Sequence, residues 1–579
     1  NRTPSSAGNR KTWTWSGWVK LCEIPSSYYV LFGAGSGGSD SGLIRLNYES
    51  SGKLNLAAWN TDPIIRTANL LRDFSAWYHI VVAVDTANGT ASNRAKIYIN
   101  GTEATYDADN RSSISNLDTP WNSNVLHTIG KLSSSSGNYP NAYFADFQNI
   151  DGQVLAPSDF GETDSNGVWQ PKEYSGSYGT NGFHLDFSDT SSNAALGTDT
   201  SGSSNTWTVN NLTATVPNVS VSDVTIYSQG AVITSGDADH MFDSDKDTFA
   251  YANGTNTSNY IDWSPTGGYT TPGYIWIQGG DGNSNRLDAP GPAVTINGTA
   301  VTRTTLVDNE TYTQAAYGWG DWSKYTVAGN TLTSLRVTGA YALIRQLSTV
   351  ADVTHSVLGI SNDNDVPVIE IVSPSTIDAL RDSPSQIAGQ TDTGVGGEVA
   401  GNYAVMNPLD NGGTGTLSNG NLDALAPTSG SSFNIRATIA PTSGKYYWEY
   451  NILKEYGIYG GIALLSFDLG TGSALNANGG VAMGGGALFN GGSQVSSSPT
   501  QAATGDVMGF AWDVDNSSLQ FYLNGVSQGT VSSIASGHYA PAVTCTPHSG
   551  GGGNIAANFG QRAFHTAAPS GYSALCTAN

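Results

Sequence analysis

Apolar residues in this chain recur at every second position over short stretches. Glycine, serine, asparagine or aspartate closes nearly every stretch. TWTWSGWVKL (12–21) alternates Trp13, Trp15 and Val19 with smaller or polar residues. YVLFGAG, GLIRLNYES and KLNLAAW follow in the same style. WYHIVVAVD (77–85) reads as a central strand and AKIYINGTEAT (95–105) as a hairpin, because Asn100-Gly101 suits a turn that needs positive φ. LHTIGKL and AYFADFQNIDGQVL (142–155) complete a set that predicts a β-sandwich.

The pattern changes at 156–217, which is polar and glycine-rich yet keeps Trp169, Tyr174, Tyr178, Phe183, Phe187 and Trp207. A free linker has no use for such side chains. The segment is expected as an ordered, extended connector whose aromatics staple it to its neighbours. Residues 218–360 return to strand patterns (VTIYS, YIDWSP, GYIWIQGG, TLTSLRVTG). Residues 361–404, with Pro367, Pro374 and Pro384, read as a second linker. Residues 405–579 give a third β unit, with KYYWEYNIL, GIYGGIALL and FYLNGVSQG, the last again holding Asn-Gly between apolar strands. The expected fold class is therefore all-β: serial antiparallel sandwiches, or jelly rolls, joined by Gly/Ser-rich connectors. No heptad repeat and no run of 18 apolar residues interrupts that picture.

Composition agrees. Only 12% of residues are charged, and Lys and Glu, the solvating residues of helices, are scarce. The net charge is -23, and the 24 Lys and Arg residues stand singly. A nucleic-acid partner needs a basic stripe, and an anionic membrane needs basic clusters, so neither is expected. Cys22, Cys545 and Cys576 have no metal-ligand spacing. They are read as buried free thiols, with a Cys545–Cys576 pair as the alternative.

Three sets of residues carry candidate chemistry. Asp243, Asp245 and Asp247 alternate in one loop, and converging carboxylate oxygens suit Ca2+. Thr248 and Gly254 stand where an EF-hand loop has glycine and glutamate, so the choice is between a different calcium loop and an Asp-rich turn. A second acidic set is Asp85, Asp107, Asp109, Asp146 and Asp151. For glycan binding, which needs aromatic platforms beside polar groups, the candidates are Tyr317, Trp319, Asp321 and Trp322 in AYGWGDWSKY, with Trp276. The alternative for these rings is a core or a subunit interface. No paired-carboxylate triplet, nucleophile elbow or phosphate loop is present in the sequence, and a non-enzyme is expected.

Residues 1–155 resemble the laminin G and concanavalin A-like jelly rolls through TWSGWVKL, WYHIVVAVD and AKIYINGTE in that order. The resemblance implies two curved antiparallel sheets, often with glycan binding at the rim or on the concave face. Residues 405–579 resemble an SPRY (B30.2-like) sandwich through SGKYYWEYNI, GIYGGIAL, GDVMGFAWDVDNSSLQFYLNGVSQG and ANFGQRAF, which implies a binding module. HMFDSDKDTFAYANG (240–254) is similar, over a short stretch, to the galactose-binding jelly roll. The module order, with the joining phrases GFHLDFSD, NPLDNGGTGTLSNGNL and FGQRAFHTAAPSGY, resembles large virion proteins of marine tailed phages. That resemblance implies a fibre or spike on the particle surface, a homo-oligomer with trimer the first expectation, and other virion proteins and host surface glycans or proteins as partners. It also implies a chain that continues at both ends.

Overall fold

The computed structural model describes residues 1–212 apart from 135, 136 and 166, residue 214, strands and turns between 224 and 348, and residues 378–579 apart from 385–389, 472–474 and 477–479. Among these residues strands dominate, and the helices are short 3-10 turns. The chain forms two compact units. One joins Asn1–Thr215 to Ile377–Asn579, and the other is Val216–Thr376.

The first unit opens with fourteen strands: β1 (Thr12–Leu21), β2 (Tyr28–Gly35), β3 (Leu43–Glu49), β4 (Leu54–Ala58), β5 (Ile65–Thr67), β6 (Tyr78–Asp85), β7 (Ala95–Ile99), β8 (Thr102–Glu103), β9 (Tyr106–Asp109), β10 (His127–Ile129), β11 (Ala142–Asp151), β12 (Gly161–Thr163), β13 (Trp169–Pro171) and β14 (Phe183–Leu185). Two six-stranded sheets face each other, in the orders β14-β11-β1-β6-β7-β8 and β10-β2-β3-β4-β5-β9. Trp13, Trp15, Phe32, Leu46, Tyr48, Leu56, Val82 and Trp121 fill the space between them. Each large apolar side chain taken out of water contributes roughly 1.5–3 kcal/mol. The turn between β7 and β8 holds Asn100 at φ 47° and Gly101 at φ 81°, the left-handed pair its sequence predicts.

β1 is buried on both faces. Trp13, Trp15 and Val19 enter the core, while Thr14, Ser16, Trp18 and Lys20 on the opposite face are also sealed. Two segments cover that outer face. Phe160 and Tyr178 pack on Val81 and Ile150, and Trp169 lies over His79 at 6.0 Å between ring centroids. β14 then pairs with β11 and sends Phe183 and Leu185 into the core with Trp207. The stretch 156–217, expected as a connector, thus supplies a sheet edge and a cover to the sandwich up to Trp207. Its isolated aromatics are the apolar surface that the outer face lacks.

The second cover is residues 378–404, expected as a linker. Asp382, with a fully buried side chain, forms an ion pair with Lys20 at 2.8 Å and accepts from Trp77 Nε1 at 2.9 Å. Lys20 also donates to Asn402 Oδ1 at 2.8 Å and to the Tyr403 carbonyl at 3.0 Å, so all three ammonium protons have acceptors. Tyr143 donates to the Gly420 carbonyl at 2.8 Å, and Asn421 to the Cys22 carbonyl at 2.8 Å.

The remainder of this unit is a second sandwich of seven- and eight-stranded sheets. Trp448, Tyr450, Phe510, Phe521, Ile462 and Val543 lie in its core, and Lys445–Lys454 is an internal strand of the larger sheet. All three cysteines are buried free thiols. In the other unit, Val216–Thr376, the described strands form a six-stranded sheet, a five-stranded sheet and a two-stranded one. Its core holds Ile261, Trp263, Ile275, Ile277, Val337 and Leu347.

Candidate functional site

Tyr317, Trp319 and Asp321 of the expected aromatic platform lie outside the described residues, as do Asp243, Asp245 and Asp247 of the expected calcium loop. Trp322 opens the strand Trp322–Thr326, opposite Gln278. Trp276 is the member of the expected platform whose surroundings are described. It lies in the middle strand of its sheet and is 2% exposed, with Lys324 Nζ 5.1 Å from its ring. A ring so enclosed offers no face to a ligand arriving from solvent. The second acidic set does not converge. Asp107 pairs with Arg66 and Lys53, Asp109 with Arg111, Asp146 with His184, and Asp85 accepts from Asn88. Asp151 accepts the backbone N–H groups of Asn9 and Asn181 at 2.7 and 2.9 Å. Among the described residues no three His, Cys, Asp or Glu side chains are grouped to hold a metal.

The structure instead assembles a polar face that the motif reading missed, on the outside of the second sheet. In β3, Ile44, Leu46 and Tyr48 belong to the core. Strand alternation then turns Arg45, Asn47 and Glu49 outward. In β4 the same rule turns Asn55 and Ala57 outward. Register places Arg45 opposite Ala57 and Asn47 opposite Asn55, with Arg66 of β5 opposite Asn55.

These residues form one network. Asn55 Nδ2 donates to Glu49 Oε1 at 2.7 Å and to Asp62 Oδ1 at 2.8 Å. Arg45 pairs with Asp62 at 2.7 Å, and its guanidinium lies 5.8 Å from the Tyr28 ring. Arg66 reaches Asp107 at 2.9 Å and Glu49 at 3.9 Å. Hydrogen bonds from Lys53 and Arg66 hold the Asp107 carboxyl below its ordinary pKa. Arg45, Lys53 and Arg66 are thus matched by Glu49, Asp62 and Asp107.

Beneath this layer Asn47 and Asn55 are 2% and 3% exposed. Arg45 Nε, Asn47 Oδ1 and Asn55 Oδ1 are buried without a hydrogen-bond partner. Leaving such an atom bare costs roughly 1–3 kcal/mol. Both groups that Asn55 Nδ2 reaches are carboxylates, which only accept when ionised. The amide is therefore fixed, and its Oδ1 needs a donor. Trp59 lies in the bend that follows β4 and is 49% exposed. Its ring rests on Gly37, where a Cβ would collide with it. Asp40 ties the adjoining loop by accepting from Thr61 N and Oγ1 at 3.0 and 2.8 Å. The sequence signal was the R-x-N-x-E alternation in GLIRLNYES, which looks the same as an ordinary solvated strand face.

A cavity of about 200 Å3 also opens beside the Lys20–Asp382 joint, lined by Trp77, Tyr143, Phe144, Phe187 and Leu380 among others. Asp382 and Tyr143 on its wall are already committed to Lys20, Trp77 and Gly420.

Comparison with known proteins places the polar face in context. Residues 2–159 match the laminin G-type model of the concanavalin A-like lectin/glucanases superfamily. No curated protein matches the chain. Among solved structures, the SPRY domain of human HERC1 is 18% identical, covering 26% of this chain and 96% of that one at a TM-score of 0.24. The TRIM65 PSpry domain is 12% identical, covering 27% and 92% at 0.23. A human SPRY domain is 18% identical, covering 24% and 91% at 0.21. The polar face lies within the residues that match this superfamily's model.

Proposed function

We propose that this chain is a structural and adhesive appendage of a virus particle, a fibre or spike of serial β-sandwiches that binds glycan or protein on the host surface. The observation that carries the reading is the outer face of β3–β5 in the concanavalin A-like domain, where buried amide and guanidinium atoms lack partners. The placement on a particle rests on the resemblance of the joining phrases to phage virion proteins. Its partners are then copies of itself, as a homotrimer, other virion proteins, and host surface glycans or proteins. Several weak sites on one oligomer gain by avidity.

The net charge of -23 argues against a nucleic-acid partner. Among the described residues no helix is long and apolar enough to cross a membrane. The role is binding without catalysis. In support, the buried carboxylates Asp151, Asp382 and Glu449 are each committed to internal donors, Glu449 to the backbone of His565 and Thr566 and to Tyr447. Calcium at Asp243, Asp245 and Asp247 belongs to the same reading, and EDTA is expected to lower the melting temperature of the whole chain. An unchanged melting curve would remove the ion from it.

The test is immuno-electron microscopy of particles together with binding of the assembled oligomer to host cells. Labelling on the particle surface and saturable cell binding are expected. Labelled particles whose oligomer binds neither cells nor glycans would make the chain a purely structural decoration. Release of reducing ends from host polysaccharide would make it an enzyme.

A further inference from the structure

We propose that the outer face of the second sheet recognises an uncharged, hydroxyl-rich glycan. Asn55 and Asn47 accept from sugar hydroxyls, Arg45 donates through Nε, and Trp59 stacks on a neighbouring ring. The inference rests on the adhesive reading above and narrows its ligand.

The unpartnered atoms state what is missing. Asn55 Oδ1, fixed as an acceptor by Glu49 and Asp62, calls for a donor. Arg45 Nε, on a side chain that shares Asp62 with Asn55, calls for an acceptor. A phosphate, sulfate or carboxylate offers only acceptors and would meet Asn55 Oδ1 lone pair to lone pair. An ammonium offers only donors and would leave Arg45 Nε bare. A hydroxyl both donates and accepts, so a pair on one sugar satisfies both sites.

Charge points the same way. The local bases and acids balance, with Arg45 on Asp62, Arg66 on Asp107 and Glu49, and Lys53 on Asp107, leaving no net charge to select an ion. The groups around the two asparagines are these ion-paired side chains. Arg45 and Asp62 are 14% and 40% exposed. The more open side of the pair is Asp62, and a ligand entering there competes with it for Arg45 to reach the amides beneath. Ala57, opposite Arg45, contributes only a methyl to the outward face of β4 beside Asn55. Half-exposed Trp59 offers the apolar ring face that stacks on a sugar.

The experiment is retention of the full chain, in EDTA, on an array of neutral hexose and N-acetylhexosamine oligosaccharides beside uronate, sialylated and sulfated ones. It is repeated with Asn55→Leu and Trp59→Ala. Neutral members are expected to be retained, with at least tenfold weaker binding in each variant and a wild-type melting temperature for Trp59→Ala. Retention of acidic members alone, of no member, or of neutral members equally by wild type and Trp59→Ala overturns the inference. Binding to intact host cells separates the two readings. Equal cell binding by wild type and Trp59→Ala overturns this site and leaves adhesion standing, whereas no cell binding by the wild-type chain overturns adhesion itself.

Discussion

Two buried histidines show how single side chains tie this fold to pH. The indole N–H of Trp169 donates to His79 Nδ1 at 2.9 Å, so the proton sits on Nε2, which faces Ser16 Oγ at 2.8 Å. His127 takes the other tautomer: its Nε2 accepts from Asn122 N at 3.0 Å and its Nδ1 donates to the Val125 carbonyl at 2.7 Å. Burial lowers both pKa values from 6.5 to about 4. Below pH 6.5 the unfolded imidazoles bind protons that the folded ones refuse. This contribution to stability is therefore complete above about pH 6.5 and is lost as pH falls toward 4. His79→Gln should cost roughly 1–2 kcal/mol at pH 7.5 through a lost buried hydrogen bond, yet flatten the loss of stability toward pH 5. Urea titrations at the two pH values check this, and a slope identical to wild type would contradict it. Asp382→Ala acts differently, because it strands the Lys20 ammonium in a dry site. A loss of about 3–5 kcal/mol is expected, with the double replacement Lys20→Met/Asp382→Leu recovering most of it. Melting curves of the three proteins decide whether the two residues act as a pair.

At the scale of elements, alternation and turn chemistry made the strands legible. WYHIVVAVD became β6 between β1 and β7, and both Asn-Gly pairs sit at hairpin turns, Asn524 and Gly525 at φ 49° and 75°. Alternation reports only that a face is polar or small, and β1 shows the limit. Thr14, Ser16 and Lys20 are its smaller or polar positions, yet all three are buried, and Thr14 and Lys20 bond to chain 139 and 362 residues away. The same limit hid the candidate site. Arg45, Asn47 and Glu49 alternate with apolar residues as any half-buried strand does, and nothing local announces that Asn47 is enclosed. Residues 156–217, expected as an ordered connector stapled by its aromatics, illustrate a related point. Their aromatics are too sparse for a strand pattern, but they are spaced to cover β11, β1 and β6 from outside. A chain ending at 155 should accordingly be less stable than one ending at 212 by roughly 5 kcal/mol or more, since Phe160, Tyr178, Phe183, Leu185 and Trp207 leave together. Urea midpoints of the two truncations measure this, and equal midpoints would show that the cover is dispensable.

For the whole molecule, sequence order and architecture diverge. Three β units follow one another along the chain, yet the first and last share one compact unit while Val216–Thr376 forms another. No periodicity could reveal this, because the fastening is a few long-range polar contacts: Lys20 with Asp382 and Asn402, Trp77 with Asp382, Tyr143 with Gly420, and Asn421 with Cys22. Most of these groups are buried, so separating the two sandwiches would leave Lys20, Asp382 and Trp77 without partners at once. That penalty makes the sandwiches cooperative, whereas Val216–Thr376 has an apolar core of its own. Calorimetry of the full chain should therefore give two transitions, the larger belonging to the joined sandwiches because unfolding enthalpy scales with residue number. Asp382→Ala should lower that transition and split it, as each sandwich then melts on its own core, while the smaller transition stays in place. Three transitions already present in the wild-type chain, with Asp382→Ala moving none of them, would mean that the joint transmits no stability between the sandwiches.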